Sequence, residues 1–143
     1  MTEEALRLRR QHQLLPLAMV VLDAGGNLVS FRREDGCGVM RFDIALGKAW
    51  AALGMGMSTR QIRDRLANRP TFQAALAGAS DGRFIPTPGG VLILDASGTA
   101  IGAVGISGDA SDKDEFCAVG AIQSAGLRAE PGQPAADWNN AGL

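Results

Sequence analysis

Lys48 is a candidate for chemistry because its neighbours are small. It is one of two lysines in a chain with twelve arginines, and it stands among Gly47, Ala49 and Ala52 in a stretch with helical apolar spacing. A partly buried lysine can pair with an anionic ligand, or burial can lower its pKa so that it acts as a base or forms an imine. A lysine that extends from a core helix to solvent fits the same pattern.

Three carboxylates cluster where the last helix is predicted to begin. Asp112, Asp114 and Glu115 can supply oxygen ligands to a divalent cation, or one of them can transfer a proton. They also complement the positive end of the helix macrodipole, which is the simpler explanation. We therefore predict no metal site, and we take Lys48 and Glu115 as the candidate catalytic residues.

Two glycine-containing segments can bring bare backbone N–H groups together. One is Pro88-Gly89-Gly90, and the other is Gly105-Ile106-Ser107-Gly108. Close to a helix N-terminus, they predict a concavity that suits a carboxylate or a phosphate. A tight turn and a close strand crossing explain the same glycines. Arg32, which alternates with Arg33 on a strand, is either a ligand clamp or half of a structural ion pair. The candidate ligand-binding residues are Arg32, Pro88, Gly89, Gly90, Ser107 and Gly108.

Several common chemistries lack their residues. The chain has a single histidine, His12, and no serine, threonine or cysteine nucleophile with a plausible histidine partner. Neither G-x-G-x-x-G nor a Walker loop is present, which argues against nucleotide cofactors. Cys37 and Cys117 lie far apart without C-x-x-C spacing, so the sequence predicts neither a zinc site nor a disulfide framework.

Two similar segments predict the elements that position these residues. Leu22-Asp23-Ala24-Gly25-Gly26 is echoed by Leu94-Asp95-Ala96-Ser97-Gly98, and each joins two apolar runs through a turn, as in a β-hairpin. Between them, apolar residues recur with helical spacing from Phe42 to Leu53, and Ser58 followed by Gln61 predicts the start of a second helix. The expected fold is α+β, an antiparallel sheet of two hairpins flanked by helices.

Composition limits the possible partners and the location. The 143 residues carry a net charge of −1, without the basic excess typical of nucleic-acid binding, and no apolar run is long enough to span a membrane. We expect no nucleic-acid partner, no membrane insertion and a cytoplasmic location with reduced thiols. The predicted organisation is a single domain over residues 1–127 and an extended tail over residues 128–143.

The motifs in their order resemble the GlcG/HbpS-like haem-binding family. They are the first hairpin, Arg33-Glu34-Asp35-Gly36, Lys48-Ala49, Pro88-Gly89-Gly90, and Gly105-Ile106-Ser107-Gly108 followed by Asp114-Glu115. The resemblance runs from about Pro16 to Gly126. It implies a profilin-like sheet assembled into dimers and larger homo-oligomers. Members of the family are linked to haem binding, to a domain attached to cobalamin adenosyltransferases, and to catabolic gene neighbourhoods.

This chain departs from the family pattern at both ends. The N-terminal helix is expected to be shortened, and the Pro- and Gly-rich tail is an addition. Some members bind haem through a histidine, whereas His12 lies outside the matching stretch. This position argues against haem ligated by histidine.

The sequence leaves two main functional hypotheses open, beside a third, that the protein is a purely structural partner of another enzyme. The first is a protein that binds haem or a small anionic metabolite near Lys48, the Pro88 loop and Ser107-Gly108. The second is a cofactor-independent enzyme, of isomerase, lyase or hydrolase type, acting on a carboxylated catabolic intermediate. We also expect a homodimer or an assembly of dimers, because the last helix is apolar nearly all round and the tail carries Trp138.

Overall fold

The computed structural model describes all 143 residues as a five-stranded antiparallel sheet with helices on both faces. The helices are α1 (Thr2–Gln11), α2 (Arg41–Met55), α3 (Thr59–Leu66), α4 (Pro70–Ala79) and α5 (Ser111–Ser124). The strands are β1 (Ala18–Asp23), β2 (Leu28–Arg33), β3 (Gly90–Leu94), β4 (Ala100–Ser107) and β5 (Arg128–Glu130), and a 3-10 turn covers Trp138–Asn140. The predicted α+β class is confirmed.

The two predicted hairpins have the same turn chemistry. In the first, the carboxylate of Asp23 accepts hydrogen bonds from the backbone N–H groups of Gly25 and Asn27, at 2.9 Å each. In the second, Asp95 accepts from the N–H groups of Ser97 and Thr99, also at 2.9 Å. A short Asp side chain can cap a turn in this way, and each turn then includes a glycine with positive φ. The repeated sequence therefore encodes two equivalent turns.

The hairpins join through their inner strands, and the sheet order is β2-β1-β4-β3-β5. β1 and β4 pair from Ala18 opposite Ser107 to Asp23 opposite Gly102. β1 is almost entirely buried, as its continuous apolar run predicts, whereas β2 lies at an edge of the sheet and is largely exposed. The sheet thus has a covered centre and a largely exposed edge strand, β2.

Alternate residues of the strands pack into two separate cores. Met19 packs with α1 and α5 on one face, and its neighbour Val20 packs with α2 on the other. Gly105 lets α2 approach β4 closely, because a Cβ there would overlap the carbonyl of Ala45. The consequence is that α2 and α5 lie on opposite faces of the same strands.

The C-terminal segment differs from the prediction of a coil. Arg128–Glu130 forms a strand that pairs with β3, and the ring of Trp138 stacks on Phe116 with the centroids 3.7 Å apart. On its other side, α5 packs against α1. The apolar circumference of α5 and the aromatic ring of the tail are therefore covered within the chain, and the inference that a second subunit must cover them was wrong. The oligomeric state itself stays a prediction.

None of the five helices has the length and hydropathy required of a transmembrane span.

Candidate functional site

Lys48 lies inside the protein and not at its surface. Its side chain is 2% exposed, and its ammonium donates to the carboxylate of Asp114 at 2.9 Å and to the carbonyl of Ile106 at 3.0 Å. Because α2 and α5 lie on opposite faces of the sheet, this ion pair connects the two helical layers at one end of the strands. The lysine is a core residue, but its charged end does not reach solvent as the simpler reading of the sequence supposed.

The Pro88-Gly89-Gly90 loop packs directly against this ion pair. Gly89 has φ of 117°, and a Cβ at this position would lie 2.9 Å from the Lys48 ammonium nitrogen. A Cβ at Gly90 would overlap the backbone carbonyl of Lys48. Glycine is therefore needed here so that the loop, the lysine and the strand end can approach one another.

Ser107 and Gly108 lie beside the same loop. The hydroxyl of Ser107 accepts a hydrogen bond from Arg41 at 3.2 Å, and a Cβ at Gly108 would overlap the carbonyl of Pro16. The structure thus brings together most of the residues predicted to bind a ligand, and all of Pro88, Gly89, Gly90, Ser107 and Gly108 are buried.

Several backbone donors of this region already have acceptors within the chain. The N–H of Gly90 donates to the hydroxyl of Thr59 at 2.8 Å, and the N–H of Ile106 donates to the carbonyl of Gly89 at 3.0 Å. The N–H of Asp109 donates to Asp114 at 3.1 Å. None of the four cavities in the protein is lined by the glycine loop, Ser107 or Lys48. The arrangement is that of a packed crossing, the alternative that the sequence left open.

Burial shifts the pKa values of both partners of the ion pair towards neutrality. Desolvation raises the pKa of Asp114 to about 6, although the Lys48 charge and the bond from Asp109 oppose this shift. Desolvation also lowers the pKa of Lys48, against the attraction of Asp114. The pair is held by short contacts in a water-free environment, and its contribution depends on both members remaining together.

Glu115 is a second buried carboxyl group, separate from Lys48. It is fully buried, a neighbouring cation, the Arg60 Nε, lies 3.4 Å from Oε1, and the backbone N–H of Ala135 approaches the carboxyl group without reaching good hydrogen-bond geometry. Desolvation raises the pKa of Glu115 to about 7, because the Arg60 charge only partly compensates the loss of water. Adjacent positions on α5 thus place Asp114 and Glu115 in different surroundings, and Glu115 forms no ion pair with Lys48.

The three carboxylates at the start of α5 do not converge. Asp114 pairs with Lys48 and Glu115 lies beside Arg60, while an oxygen of Asp112 lies 4.0 Å from Arg63. No group of three or more metal-ligating side chains is close together in the protein.

Arg32 belongs to another region, a groove between α1 and β2. Arg9 and Arg10 of α1 and Arg32 and Arg33 of β2 line this groove, which has a volume of about 440 Å³. We call it the arginine groove. Arg32 is exposed, and its Nη1 lies 3.8 Å from a carboxylate oxygen of Glu3. Sequence reasoning missed Arg9 and Arg10, because only the placement of α1 beside β2 brings the two arginine pairs together.

A smaller apolar cavity lies between α2 and α4. It has a volume of about 160 Å³, and the guanidinium of Arg83 lies 3.8 Å from the centroid of the Trp50 ring at its edge. Ligand sites in proteins typically measure about 300–1,000 Å³. This cavity is therefore too small for a ligand the size of a porphyrin, whereas the arginine groove falls within the range.

His12, the single histidine, lies at the end of α1. Its ring packs edge-on against Phe116 and Trp138, with centroid distances of 4.9 Å and 5.3 Å. It lines none of the four cavities. The histidine thus completes an aromatic cluster that attaches the tail to α5.

Similar proteins share the chain's length as well as its fold. An uncharacterized 15.0 kDa protein from the dhaT-dhaS intergenic region of Citrobacter freundii is 31% identical over 108 residues, which are 76% of this chain and 75% of that protein. The crystal structure of a PduOC–haem complex matches with a TM-score of 0.80 and 25% identity, covering 90% of this chain and 91% of the other. Protein ORFY of Klebsiella pneumoniae matches with a TM-score of 0.72 and 26% identity, covering 85% of each chain.

The family described as "Haem degrading protein HbpS-like" matches residues 1–123. This match begins earlier than the stretch from Pro16 on which the resemblance was based, so it includes α1 and His12. The resemblance to the family is confirmed. The chain belongs to the HbpS-like family.

Proposed function

We propose that this protein binds haem. A small anionic metabolite is the alternative ligand, since it carries the same kind of anionic group. The observation that carries the proposal is the similarity to the PduOC–haem complex over 90% of the chain. Membership of a family described as haem-degrading supports the same ligand. Fold similarity alone fixes function poorly, so the residues of this chain must also suit the ligand.

The residues suit the carboxylate end of haem better than its iron. Haem carries two propionate groups, and the arginine groove offers four guanidinium groups at a concavity of about 440 Å³. For the iron, the chain offers a single imidazole, and the exposed ring of His12 packs edge-on against the stacked Phe116 and Trp138 rings and lines none of the cavities. We therefore propose binding through the anionic groups and no histidine ligand.

A catalytic role for Lys48 and Glu115 has less support. Both side chains are almost completely buried, and no cavity reaches either of them. A general acid or base must come within hydrogen-bond reach of its substrate, directly or through one water molecule. The enzymatic alternative would therefore need an opening of the core, and no observation favours it.

Titration with haem tests the proposal. The purified chain should shift the Soret band of haem saturably, with one haem per subunit, and the bound ligand should raise the melting temperature by several degrees at about 100 times Kd. Iron-free protoporphyrin IX is the matched ligand control, and binding through the anionic groups predicts similar affinity for it. Absorbance that rises linearly with haem, with no thermal stabilisation by haem or by dicarboxylates, would contradict the proposal.

We also propose that the protein forms homo-oligomers through the β2 edge. Leu28, Val29 and Phe31 are exposed on this strand, and an unpaired edge can pair with the same strand of a second copy. Light scattering should report at least a dimer, and Val29→Lys should reduce the mass. A monomeric mass for the unchanged chain would contradict the proposed oligomer.

The unpaired thiols of Cys37 and Cys117 support the proposed cytoplasmic location.

A further inference from the structure

The arginine groove is formed by two elements that are distant in sequence. α1 contributes Arg9 and Arg10, β2 contributes Arg32 and Arg33, and the buried side chain of Leu6 also lines the groove. Four guanidinium groups face two carboxylates, those of Glu34 and Asp35, which leaves a net charge of +2 on the lining. The concavity is thus small, positively charged and open to solvent.

Structural ion pairs account for only part of this charge. Glu34 accepts a hydrogen bond from the Leu17 N–H at 2.9 Å and lies 3.5 Å from the Arg9 Nε. Arg32 lies 3.8 Å from Glu3. Neither Arg10 nor Arg33 has a carboxylate oxygen within 4.0 Å or any side-chain hydrogen bond. Two of the four guanidinium groups therefore have no partner within the chain.

Arg9 adds an independent observation. Its Nε is buried and lies 3.5 Å from a Glu34 oxygen, but the geometry of this contact is not that of a hydrogen bond, so the N–H lacks an acceptor. A buried donor without an acceptor is costly, and such groups are normally satisfied by protein, water or ligand. The Arg9 side chain as a whole is 25% exposed, and a small rotation of its guanidinium towards an oxyanion in the groove would supply this acceptor.

We propose that the arginine groove binds a small molecule carrying two oxyanion groups. Guanidinium groups bind carboxylates and phosphates through paired N–H donors, and arginines on two elements can hold two such groups at once. Either the propionates of haem or the phosphates of a diphosphate satisfy this chemistry. The haem case rests on the proposed function, whereas the diphosphate case does not.

The test compares a double variant with a charge-matched control. Arg10→Ala with Arg33→Ala removes the two unpartnered guanidinium groups from the groove. Arg65→Ala with Arg128→Ala removes the same charge from exposed positions on α3 and β5 that have no ion pair. Each protein is titrated with inorganic pyrophosphate, with haem and with haem dimethyl ester, in which both propionates are neutral.

The proposal predicts that the groove variant loses affinity by about tenfold or more for at least one of pyrophosphate and haem, with the control variant unchanged. Haem dimethyl ester should bind both variants equally, since it lacks the charges that the groove recognises. Loss for haem alone identifies propionates as the ligand groups, and loss for pyrophosphate alone identifies phosphates.

Three results would overturn the proposal. They are equal affinities of both variants and the unchanged chain for pyrophosphate and haem, equal losses in the groove and control variants, and failure of both ligands to bind the unchanged chain. If all three proteins bind haem tightly and with equal affinity, the proposed function stands and only the role of the arginine groove is contradicted. If pyrophosphate binding depends on Arg10 and Arg33 and haem does not bind, the proposed function is contradicted and the proposal for the arginine groove stands.

Discussion

The two charged regions of this protein use similar residues in opposite ways. At the strand end, Lys48 and Asp114 are buried, bonded to each other and sealed by the glycine loop. In the arginine groove, the cations outnumber the acids, and Arg10 and Arg33 remain exposed without partners. A buried charge must be paired within the chain, whereas an exposed charge is solvated by water and stays available to bind a ligand. This difference separates a structural cluster from a candidate binding site.

The largest expected effect comes from breaking the buried ion pair. Lys48→Met leaves the Asp114 carboxyl in the core without its cation, and the free energy of unfolding should fall by about 3–5 kcal/mol. Chemical denaturation at pH 7 measures this change.

Adding Asp114→Asn to Lys48→Met should recover at least about 1 kcal/mol, because the uncompensated acid is removed as well. If Lys48→Met alone is as stable as the unchanged chain but no longer binds haem, Lys48 is instead a ligand-binding residue.

The second effect concerns Glu115 and depends on pH. The carboxyl titrates near its ordinary value of 4.5 in the unfolded chain and at about 7 in the folded protein, so the folded state holds its proton longer. Between these values the unfolded state binds fewer protons, and stability contributed by Glu115 falls as pH rises, by about 3 kcal/mol in total.

Glu115→Gln should remove this part of the pH dependence. Unfolding free energies of both proteins measured from pH 4.5 to pH 8 should diverge, with the variant gaining relative stability at the alkaline end. Parallel curves would show that the Glu115 carboxyl is charged throughout and balanced by Arg60.

A smaller effect is expected at the glycine loop. Gly90→Ala places a methyl group against the Lys48 carbonyl and should lower the free energy of unfolding by about 1–3 kcal/mol. Gly54→Ala is the matched control, because Gly54 lies in α2 with no atom within 4 Å of the added methyl group. That change should stabilise the protein by up to about 1 kcal/mol. Equal melting temperatures for the two variants would contradict the close packing of the glycine loop against the Lys48 backbone.

The arginine groove should respond least in stability. Arg10→Ala with Arg33→Ala should change the free energy of unfolding by no more than about 0.5 kcal/mol, since neither side chain has a partner to lose. Denaturation of this variant beside Lys48→Met compares the two regions directly. A loss of several kcal/mol would assign the groove arginines a structural role.

The candidate site was only partly predictable from the sequence. The glycine loop, Ser107 and Lys48 do lie together, as expected, but they pack against one another and line none of the four cavities. The ammonium of Lys48 binds Asp114, which lies next to the predicted Glu115. Helix periodicity places neighbouring residues on different sides, and no pattern in the sequence indicates which of two adjacent acids faces the lysine.

The sequence by itself determined the turns and the helix ends, because these depend on hydrogen bonds and backbone conformations within a few residues. Asp23 and Asp95 bond to residues at most four positions away, and Gly56, whose φ of 66° suits glycine, caps the C-terminus of α2. Such interactions depend on a few consecutive residues and can be predicted from them.

Only the tertiary structure decided which charges meet. Lys48 and Asp114 are 66 positions apart, and the arginines of α1 approach those of β2 because α1 covers one face of the sheet. Which side chains meet depends on how the helices pack on the strands, and that packing follows from burial of apolar area, which has no direction along the chain. A buried ion pair and an open groove in which arginines outnumber acids therefore look alike in sequence and differ only once the chain is folded.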